Sequence, residues 1–364
     1  MKVKLGDIFE IGSGGTPSKS HPEYYGGDIP WVKTGDLKSE YLYEVEDFIT
    51  KEGLKNSSAK LYEPDTVLIA MYGATIGATS ILKMDACTNQ ACAAFKKNDK
   101  VIPEYLYYFL KSQKVKFVKD GVGGAQPNIS AGYLKKVEME LPSLDEQRAI
   151  VEVLDKTTNI MVMRNQEIAS LDNLIKARFV EMFGDMYLNS KGWSEAKLES
   201  MADVVSGITK GRKTKSEDLT EVPYMAVSNV KDGYIDWTTV KTIGATQQEI
   251  EQYRLLADDV LMTEGGDPDK VGRGAIIKEP LENCIHQNHI FRVRLDESVV
   301  LPEFFAEYLQ HQRSKRYFLG CAKQTTGIAS INMTQLRALP VLIPPLSKQE
   351  EFVLFKEQVD KSKV

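Results

Sequence analysis

Cysteine, histidine and long apolar runs are scarce in this chain of 364 residues. Its four cysteines are too few and too scattered for a disulfide framework, and they predict buried thiols in a reducing cytoplasm. No uninterrupted apolar run approaches the roughly 18 residues of a membrane span, and the first residues lack the apolar core of a signal peptide. We therefore expect a cytoplasmic protein with no membrane partner.

Recognisable catalytic centres are also missing. The glycine-rich stretch from Gly12 to Ser20 lacks the spacing of a P-loop, and the Asn-Pro-Pro-Tyr or Asp-Pro-Pro-Tyr tetrapeptide of aminomethyltransferases does not occur. No Pro-Asp pair is followed by a suitably spaced acidic-x-Lys, which disfavours a metal-dependent nuclease. Cys284, His286 and His289 have no fourth ligand nearby, so a buried thiol and hydrogen-bonded histidines are the better interpretation. The sequence predicts no catalytic residue, no metal site and no cofactor in this chain.

An internal repeat organises what is there. Pro30 matches Pro223 at an offset of 193 positions, and many neighbouring pairs share that offset. The offset then drifts, to 197 where Cys87 matches Cys284 and to 202 near the end, which indicates short loop insertions. Buried strands followed by glycine-rich turns recur in both copies, as do helices with proline in the first turn. We expect two α+β domains, each with a mixed or antiparallel sheet.

A long helix is predicted between the copies. From Asp145 to Phe183 there is no glycine or proline, acidic residues occupy the first turn, and Gly184 follows the end. At about 1.5 Å per residue this helix would be roughly 58 Å long. Its mostly apolar seam, spaced alternately four and three residues, favours a coiled-coil spacer over the alternative of a helix lying across one domain. A similar, shorter helix begins near residue 347. The predicted subunit-interface residues are Ile150, Leu154, Met161, Ile168, Leu171, Ile175, Met182, Phe352, Phe355 and Val359.

Basic and amide-bearing residues cluster in matching places of the two copies. Lysine and arginine neutralise phosphates, and amide or guanidinium groups can pair with base edges in the major groove. Any single charge run is ordinarily a solvated face, so recurrence in both copies is what favours DNA contact over a coiled-coil scaffold with no DNA role. The predicted DNA-binding residues are Lys19, Lys33, Lys114, Lys116, Gln126, Asn128, Lys210, Arg212, Lys213, Lys215, Asn229, Lys231, Arg313, Lys315, Gln324 and Thr325.

Short motifs add a family resemblance. They are Lys4-Leu5-Gly6-Asp7, Gly14-Gly15-Thr16-Pro17-Ser18, Ile29-Pro30-Trp31, Gly73-Ala74-Thr75-Ile76-Gly77, and Leu141-Pro142-Ser143-Leu144-x-Glu146-Gln147 with its second copy Ile343-Pro344-Pro345-Leu346-x-Lys348-Gln349. With the duplication and the missing catalytic centre, they make the chain resemble the specificity (S) subunit of type I restriction–modification systems. The second copy departs from the first at Ile208-Thr209-Lys210 and at Gly265-Gly266-Asp267, which predicts a different target for it.

The resemblance implies two pseudo-twofold-related target recognition domains, residues 1–144 and 186–346. Coiled-coil-forming helices, residues 145–185 and 347–364, would join them. Each domain would read one part of a bipartite site in double-stranded DNA, and the helices would set the gap and dock two modification subunits. S-adenosylmethionine would be held by those subunits, and ATP and Mg by restriction subunits, while this chain itself would be non-catalytic. The second helix is short. An antiparallel helix pair would therefore be completed either by a continuation of this chain or by a second chain.

Overall fold

The computed structural model describes residues 1–121, 128–212, 218–267, 271–325 and 328–363. They form two compact units, Met1–Arg164 (unit 1) and Asn165–Val364 (unit 2). One helix of 40 residues, Leu144–Phe183, contributes its first half to unit 1 and its second half to unit 2, and is α6 below. The predicted long helix is therefore present and begins one residue earlier than expected. Among the described helices, none combines the length and the apolar character that a membrane crossing requires.

Unit 1 packs short helices against two sheets, which confirms the α+β prediction. Its strands are β1 (Lys2–Lys4), β2 (Ile11–Ser13), β3 (Tyr25–Val32), β4 (Tyr41–Leu42), β5 (Phe48–Ile49), β6 (Leu61–Tyr62), β7 (Val67–Ala70), β8 (Thr79–Leu82), β9 (Ala86–Thr88), β10 (Cys92–Phe95) and β11 (Glu138–Glu140). Its helices before α6 are α1 (Leu5–Ile8), α2 (Lys51–Lys55), α3 (Pro103–Ser112), α4 (Lys114–Asp120) and α5 (Ala131–Lys136). The sheet orders are β2-β10-β7-β8-β4 and β5-β3-β9-β6, and β1 pairs with β11. Parallel pairs occur at β3–β9 and β4–β8, so the sheets are mixed.

Unit 2 repeats this plan. Its strands are β12 (Ser194–Lys197), β13 (Ala202–Ser206), β14 (Thr220–Met225), β15 (Lys241–Ala245), β16 (Val260–Thr263), β17 (Gly265–Gly266), β18 (Gly274–Ile276), β19 (Ile285–His286), β20 (Ile290–Leu295), β21 (Lys323–Thr325), β22 (Ile328–Ser330) and β23 (Pro340–Ile343). Its helices after α6 are α7 (Gln247–Tyr253), α8 (Pro302–Gln310), α9 (Gln312–Cys321), α10 (Met333–Arg337) and α11 (Leu346–Lys361). The sheet orders are β13-β20-β16-β18, β15-β14-β19 and β17-β22-β21, and β12 pairs with β23.

Strand register shows that the two units are copies of one design. Phe95 of β10 pairs with Val67 of β7, and Val293 of β20 pairs with Val260 of β16. Both β7 and β16 are buried along their whole length, as their continuous apolar sequences predict. The central strands of the two larger sheets are therefore in the same register.

The register corrects one match drawn from the sequence. Trp31 pairs with Cys87 in the parallel pair of unit 1, and Tyr224 pairs with Ile285 in that of unit 2. Because Trp31 and Tyr224 stand at the common offset of 193, Cys87 corresponds to Ile285 and not to Cys284. The physical reason is a longer loop before β19. Cys87 follows Ile81 by 6 positions, whereas Ile285 follows the equivalent Ile276 by 9 positions.

A buried glutamine fixes the start of the long helix in each unit. The Oε1 atom of Gln147 accepts a hydrogen bond from the Ile102 N–H at 2.9 Å, and its Nε2 donates to two backbone carbonyls at 2.9 and 3.0 Å. Gln349 repeats the arrangement with the Leu301 N–H at 2.8 Å and two carbonyls at 3.1 and 2.8 Å. Each amide thereby satisfies three buried backbone groups just before α3 or α8 and at the start of α6 or α11.

Candidate nucleic-acid interface

In unit 1 the structure brings two polar loops onto one face. Tyr72, just after β7, forms a β-bridge with Asn128, and the Ile129 N–H donates to the Met71 carbonyl at 2.9 Å. The loop after β7 therefore lies beside the loop that precedes α5. Asn128, predicted to bind DNA, is exposed there. Gln126, predicted with it, lies outside the described residues.

A basic helix borders the same face. Gly77 has φ +79°, and a Cβ at this position would lie 2.9 Å from Lys114 Cγ, so glycine lets the loop lie directly against α4. Lys114, Lys116 and Lys119 are exposed, and none of them forms an ion pair with a described residue. Their ammonium groups are consequently available to an outside anion. The two predicted lysines of this helix, Lys114 and Lys116, are therefore exposed cations, and their contact with phosphate stays a prediction.

The side chains of Tyr133 and Asp120 stand between two surface cavities of unit 1. The Tyr133 hydroxyl donates to Asp120 Oδ2 at 2.7 Å. Burial, followed by the neighbouring carboxylate, raises the pKa of Tyr133 to about 12, so the hydroxyl remains a donor. The larger cavity, about 600 Å³, is also lined by Lys116 and Lys136. The smaller cavity, about 380 Å³, is also lined by Tyr72, Asn128 and Ser130.

Unit 2 builds the equivalent face from strands. Gly265 of β17 pairs with Ser330 of β22, and β22 pairs in turn with β21. These two residues occupy the positions of Tyr72 and Asn128 in unit 1. The backbone of Gln324 and Thr325 lies in β21, while their side chains fall outside the described part of the molecule.

Two predicted basic residues on α9 of unit 2 are occupied by internal partners. The Arg313 guanidinium pairs with Glu195 and donates to two backbone carbonyls at 3.2 Å. Lys315 Nζ lies 3.5 Å from a carboxylate oxygen of Asp232. Arg313 is mostly buried, so its main role in the structure is to join α9 to the residues around β12.

Arg212, a predicted DNA-binding residue in a loop of unit 2, also has partners within its own unit. Arg212 binds Glu249 through two hydrogen bonds of 2.5 Å and donates to the Gly244 carbonyl at 3.1 Å. The guanidinium lowers the pKa of Glu249 to about 2, which keeps the pair charged. Lys213 and Lys215 lie outside the described residues.

The prediction that Asn229 contacts DNA is corrected by the structure, because the Asn229 side chain is wholly buried. Its Oδ1 accepts from the Ala226 N–H at 2.9 Å, and its Nδ2 donates to the Asp236 carbonyl at 2.9 Å. The amide thus holds a turn together and does not face outward. Lys231 lies 4.0 Å from a carboxylate oxygen of Asp236 at the edge of the same turn.

The remaining predicted DNA-binding residues lie on the first loops of each unit. Lys19 and Lys210 are exposed, and neither forms an ion pair with another described side chain. Lys33 differs, since its Nζ lies 2.5 Å from Asp47 and 5.2 Å from the centre of the Trp31 ring. Lys33 therefore stabilises the surface around β3 as well as carrying charge.

The predicted helix-seam residues separate into two groups. In unit 1 the seam is largely open, with Ile150 39% exposed and Met161 62% exposed. In unit 2 it is closed, because Ile175 of α6 and Phe352 of α11 are buried in one apolar core. Of the other seam residues, Leu154 in unit 1 and Ile168 in unit 2 are half-buried. Leu171, Met182 and Phe355 pack at the edge of the unit 2 core, and Val359 lies within it.

The cysteine and histidine cluster of unit 2 does not converge on a point. His286 is buried, with its ring nitrogens 3.1 and 3.4 Å from the carbonyl oxygens of Tyr253 and Val205, while His289 pairs with Glu264. Over the described ranges, no group of three histidine, cysteine, aspartate or glutamate side chains is arranged to hold a metal ion.

Sequence reasoning missed the Tyr133–Asp120 pair and the two glutamine clamps. The glutamines were visible as a repeated match, but the sequence does not reveal which backbone groups they satisfy. Tyr133 and Asp120 are 13 positions apart with no motif joining them, so no spacing signal marks that pair.

Comparison with known proteins matches both copies to one family. The model of the type I restriction modification DNA specificity domain matches residues 1–173 and again residues 190–364. The type I restriction enzyme MjaIX specificity subunit of Methanocaldococcus jannaschii is 30% identical over 250 residues, which are 63% of this chain and 58% of that subunit's own length.

Two solved structures share the fold. A chain from work on complex assembly and conformational transition of the type I R-M system gives a TM-score of 0.59 at 16% identity, covering 100% of this chain and 90% of that one. The S subunit of a type I restriction–modification system from M. genitalium gives a TM-score of 0.54 at 16% identity, with the same coverage. At this identity the likeness concerns the fold alone.

Proposed function

The chain belongs to the family of type I restriction modification DNA specificity domains, and from this premise we propose that it is the DNA-reading specificity subunit of a type I restriction–modification complex. Unit 1 and unit 2 each read one part of a bipartite site in double-stranded DNA. The family resemblance drawn from the motifs is confirmed by the match to both copies.

The observation that carries the proposal is one face built twice. In unit 1 the loop after β7 lies beside the loop before α5 through Tyr72 and Asn128, and in unit 2 the same positions pair through Gly265 and Ser330. In unit 1 the face is bordered by free lysines, which suit phosphate contact. Two related but chemically different faces on one chain are what reading two unlike half-sites requires.

The open part of the helix seam supports a protein partner. The first half of α6 carries exposed apolar side chains, and those of Val153 and Met161 are each 62% exposed. Contiguous exposed apolar surface commonly marks a protein interface. We assign this surface to the modification subunits, of which two bind, and restriction subunits join that core. The helix also sets the distance between the half-sites.

In this proposal the modification and restriction subunits carry out the catalytic reactions. The chain is non-catalytic, S-adenosylmethionine is held by the modification subunits, and ATP and Mg are held by the restriction subunits. The assembly works on DNA in the cytoplasm. The absence of recognised nucleotide-binding and methyltransferase motifs in the sequence supports this division of labour.

A methylation experiment tests the proposal. The chain is combined with the modification subunits of its host system and S-adenosylmethionine on a pool of randomised duplex DNA, and the methylated bases are sequenced. We expect one bipartite motif with a fixed unspecified gap, and no methylation by the chain alone. Methylation by the chain alone would favour a self-contained methyltransferase. A complex that methylates without sequence preference would favour a scaffold.

Lengthening α6 tests its role as the spacer. Seven residues inserted after Ile168 keep an a/d seam in register and add roughly 10 Å at about 1.5 Å per residue. At about 3.4 Å per base pair the gap should widen by up to about three base pairs, while both half-sites stay the same. An active complex with an unchanged gap would show that this helix does not set the spacing.

A further inference from the structure

The smaller cavity of unit 1 has an unusual wall for a face that meets DNA. Asp120 brings a negative charge to a surface that Lys114 and Lys116 otherwise make positive. Its Oδ2 accepts from Tyr133, while its Oδ1 accepts no hydrogen bond from a described residue. A carboxylate repels phosphate, but it accepts a hydrogen bond from the exocyclic amino group of a base. This oxygen therefore suits a base edge and opposes backbone contact.

The other lining groups suit the same ligand. The Tyr72 and Tyr133 rings offer flat apolar surface, and Asn128 and Ser130 offer an amide and a hydroxyl. Lys116 and Lys136 line the neighbouring cavity on the other side of Asp120 and Tyr133, where a phosphate would be attracted. Cations that attract the backbone thus stand beside neutral and acidic groups that suit a base.

Comparison with unit 2 shows that this chemistry is not required by the fold. Ser130 caps α5 by accepting from the Tyr133 N–H at 3.1 Å, and Asn332 caps α10 by accepting from the Gln335 N–H at 2.9 Å, so the scaffold is the same. However, the Gln335 side chain reaches the backbone carbonyl of Cys321 and no carboxylate. Gly265 also stands where unit 1 has Tyr72. The carboxylate and the aromatic wall are therefore features of unit 1 that the common fold does not need.

We propose that the cavity lined by Tyr72, Asp120, Asn128, Ser130 and Tyr133 reads one base of the unit 1 half-site, and that Asp120 selects a base that presents an exocyclic amino group in the major groove, cytosine or adenine. This inference rests on the proposed function. Tyr133 is a positioning residue, because its hydroxyl orients the carboxylate and leaves Oδ1 for the base.

Two variants test the assignment. Asp120→Asn removes the charge but keeps an oxygen that can accept from Tyr133, and Tyr72→Gly installs the residue that unit 2 has at this place. Asp85→Asn, in the exposed turn between β8 and β9, removes the same charge away from the cavity and is the control. Each complex with modification subunits is used to methylate randomised duplex DNA, and the motif is sequenced. Thermal unfolding of each chain tests whether it is folded.

We expect Asp120→Asn to relax one position of one half-site, with preference for the amino-bearing base falling by about tenfold, as loss of one good base contact predicts. Tyr72→Gly should weaken preference at the same position, and the second half-site and the gap should not change. If Asp120→Asn does not fold, the Tyr72→Gly result decides alone. An unchanged motif, or equal relaxation in both half-sites, would overturn the inference while leaving the proposed function intact. A wild-type complex without any motif would instead remove the proposed function, and this inference with it.

Discussion

The two units share one scaffold but differ in the charge that they leave free. In unit 1, Lys114 and Lys116 of α4 are exposed and unpaired among the described residues, whereas their counterparts on α9 of unit 2, Arg313 and Lys315, pair with Glu195 and Asp232. Common strand register therefore does not imply a common surface. A basic residue in a matching element is evidence for DNA contact only when it forms no ion pair with a carboxylate of its own unit.

The long helix shows the same contrast between its halves. In unit 2, Phe179 of α6 stacks on Phe304 at 5.4 Å between ring centres and meets Phe352 edge-on at 5.2 Å. In unit 1, Met161 on the first half of the helix is 62% exposed. One half of the helix is thus part of a domain core, and the other half is an open surface.

Removing Phe179 should give the largest effect. Phe179→Ala deletes a fully buried ring, and we expect unit 2 to lose about 3–5 kcal/mol of unfolding free energy. The matched control Met161→Ala should change stability by less than about 0.5 kcal/mol, because that side chain is mostly exposed. Tryptophan fluorescence during urea unfolding in a Trp31→Phe background reports on unit 2, since the remaining two of the three tryptophans, Trp193 and Trp237, lie there. Limited proteolysis across the same urea series reports on Met161→Ala in unit 1. Equal losses in the two variants would contradict the contrast between the helix halves.

The fold was predictable because its signals are local or repeated. Continuous apolar runs marked the buried strands β7 and β16, and a stretch without glycine or proline marked α6. The duplication gave the rest, since a match at a constant offset needs no knowledge of the contacts. The match of Cys87 failed because a longer loop in unit 2 changes the offset just before this position, and only strand pairing shows by how much.

The candidate interface was predictable only in part. The sequence located the basic helix α4 and the polar loop containing Asn128, because composition alone marks them. It could not separate free cations from paired ones, since Glu249 lies 37 positions from Arg212 and Glu195 lies 118 positions from Arg313. The burial of Asn229 was hidden for the same reason, because an amide that closes a turn has the same composition as one that faces a base.

Breaking the glutamine clamps tests what the two units share. Gln147→Leu and Gln349→Leu each leave one backbone N–H and two carbonyls without their partner, and we expect each to lower the stability of its own unit by about 2–3 kcal/mol. Gln166→Leu, on an exposed position of α6, is the control and should be nearly neutral. Limited proteolysis across a urea series locates the destabilised unit. If only one of the two glutamine variants loses much stability, then the same hydrogen-bond geometry contributes different free energies to the two units.

Acid should also distinguish the two units, through two histidines of unit 2. Burial, together with the charges of Lys176 and Lys315, lowers the pKa of His311 from 6.5 to about 4, and burial lowers that of His286 to about 4. A histidine whose folded pKa is depressed binds more protons when unfolded between these two values. Stability is therefore complete above pH 6.5 and is lost as pH falls toward 4, by about 1.4 kcal/mol per pH unit for each histidine.

The measurement is the urea unfolding free energy of unit 2 at a series of pH values, in the Trp31→Phe background. His311→Gln should remove the part of the slope between pH 6.5 and 4 that comes from the His311 ring. The remainder comes from His286, less an opposite contribution from Glu307, whose carboxyl pKa is raised by burial. Both histidines with a lowered pKa lie in unit 2, so limited proteolysis across the same urea and pH series should show a much smaller change in unit 1. If His311→Gln has the same slope as the parent protein, protonation of the His311 ring beside Phe179 does not lower the unfolding free energy.

The free lysines of unit 1 should give the smallest change per residue, because exposed charges are screened by salt. Replacing Lys114, Lys116 and Lys119 with alanine should weaken DNA binding by the assembled complex and flatten the dependence of log affinity on log salt. The slope should fall by about 0.9 for each phosphate contact that is lost. Binding isotherms at four or more salt concentrations, on the DNA motif of the wild-type complex, measure it.

The control for net charge removes three other exposed lysines of unit 1, at positions 51, 55 and 60, and should leave the slope unchanged. Arg313→Ala sharpens the comparison with unit 2. Its guanidinium is already paired with Glu195, so its loss should lower the stability of unit 2 and leave the salt slope as it was. If Arg313→Ala flattens the slope as much as a single α4 lysine does, then the internal pair opens on DNA, and the free and paired cations of the two units are not different in function. If the control lysines flatten it equally, the effect comes from net charge and α4 does not face the phosphates.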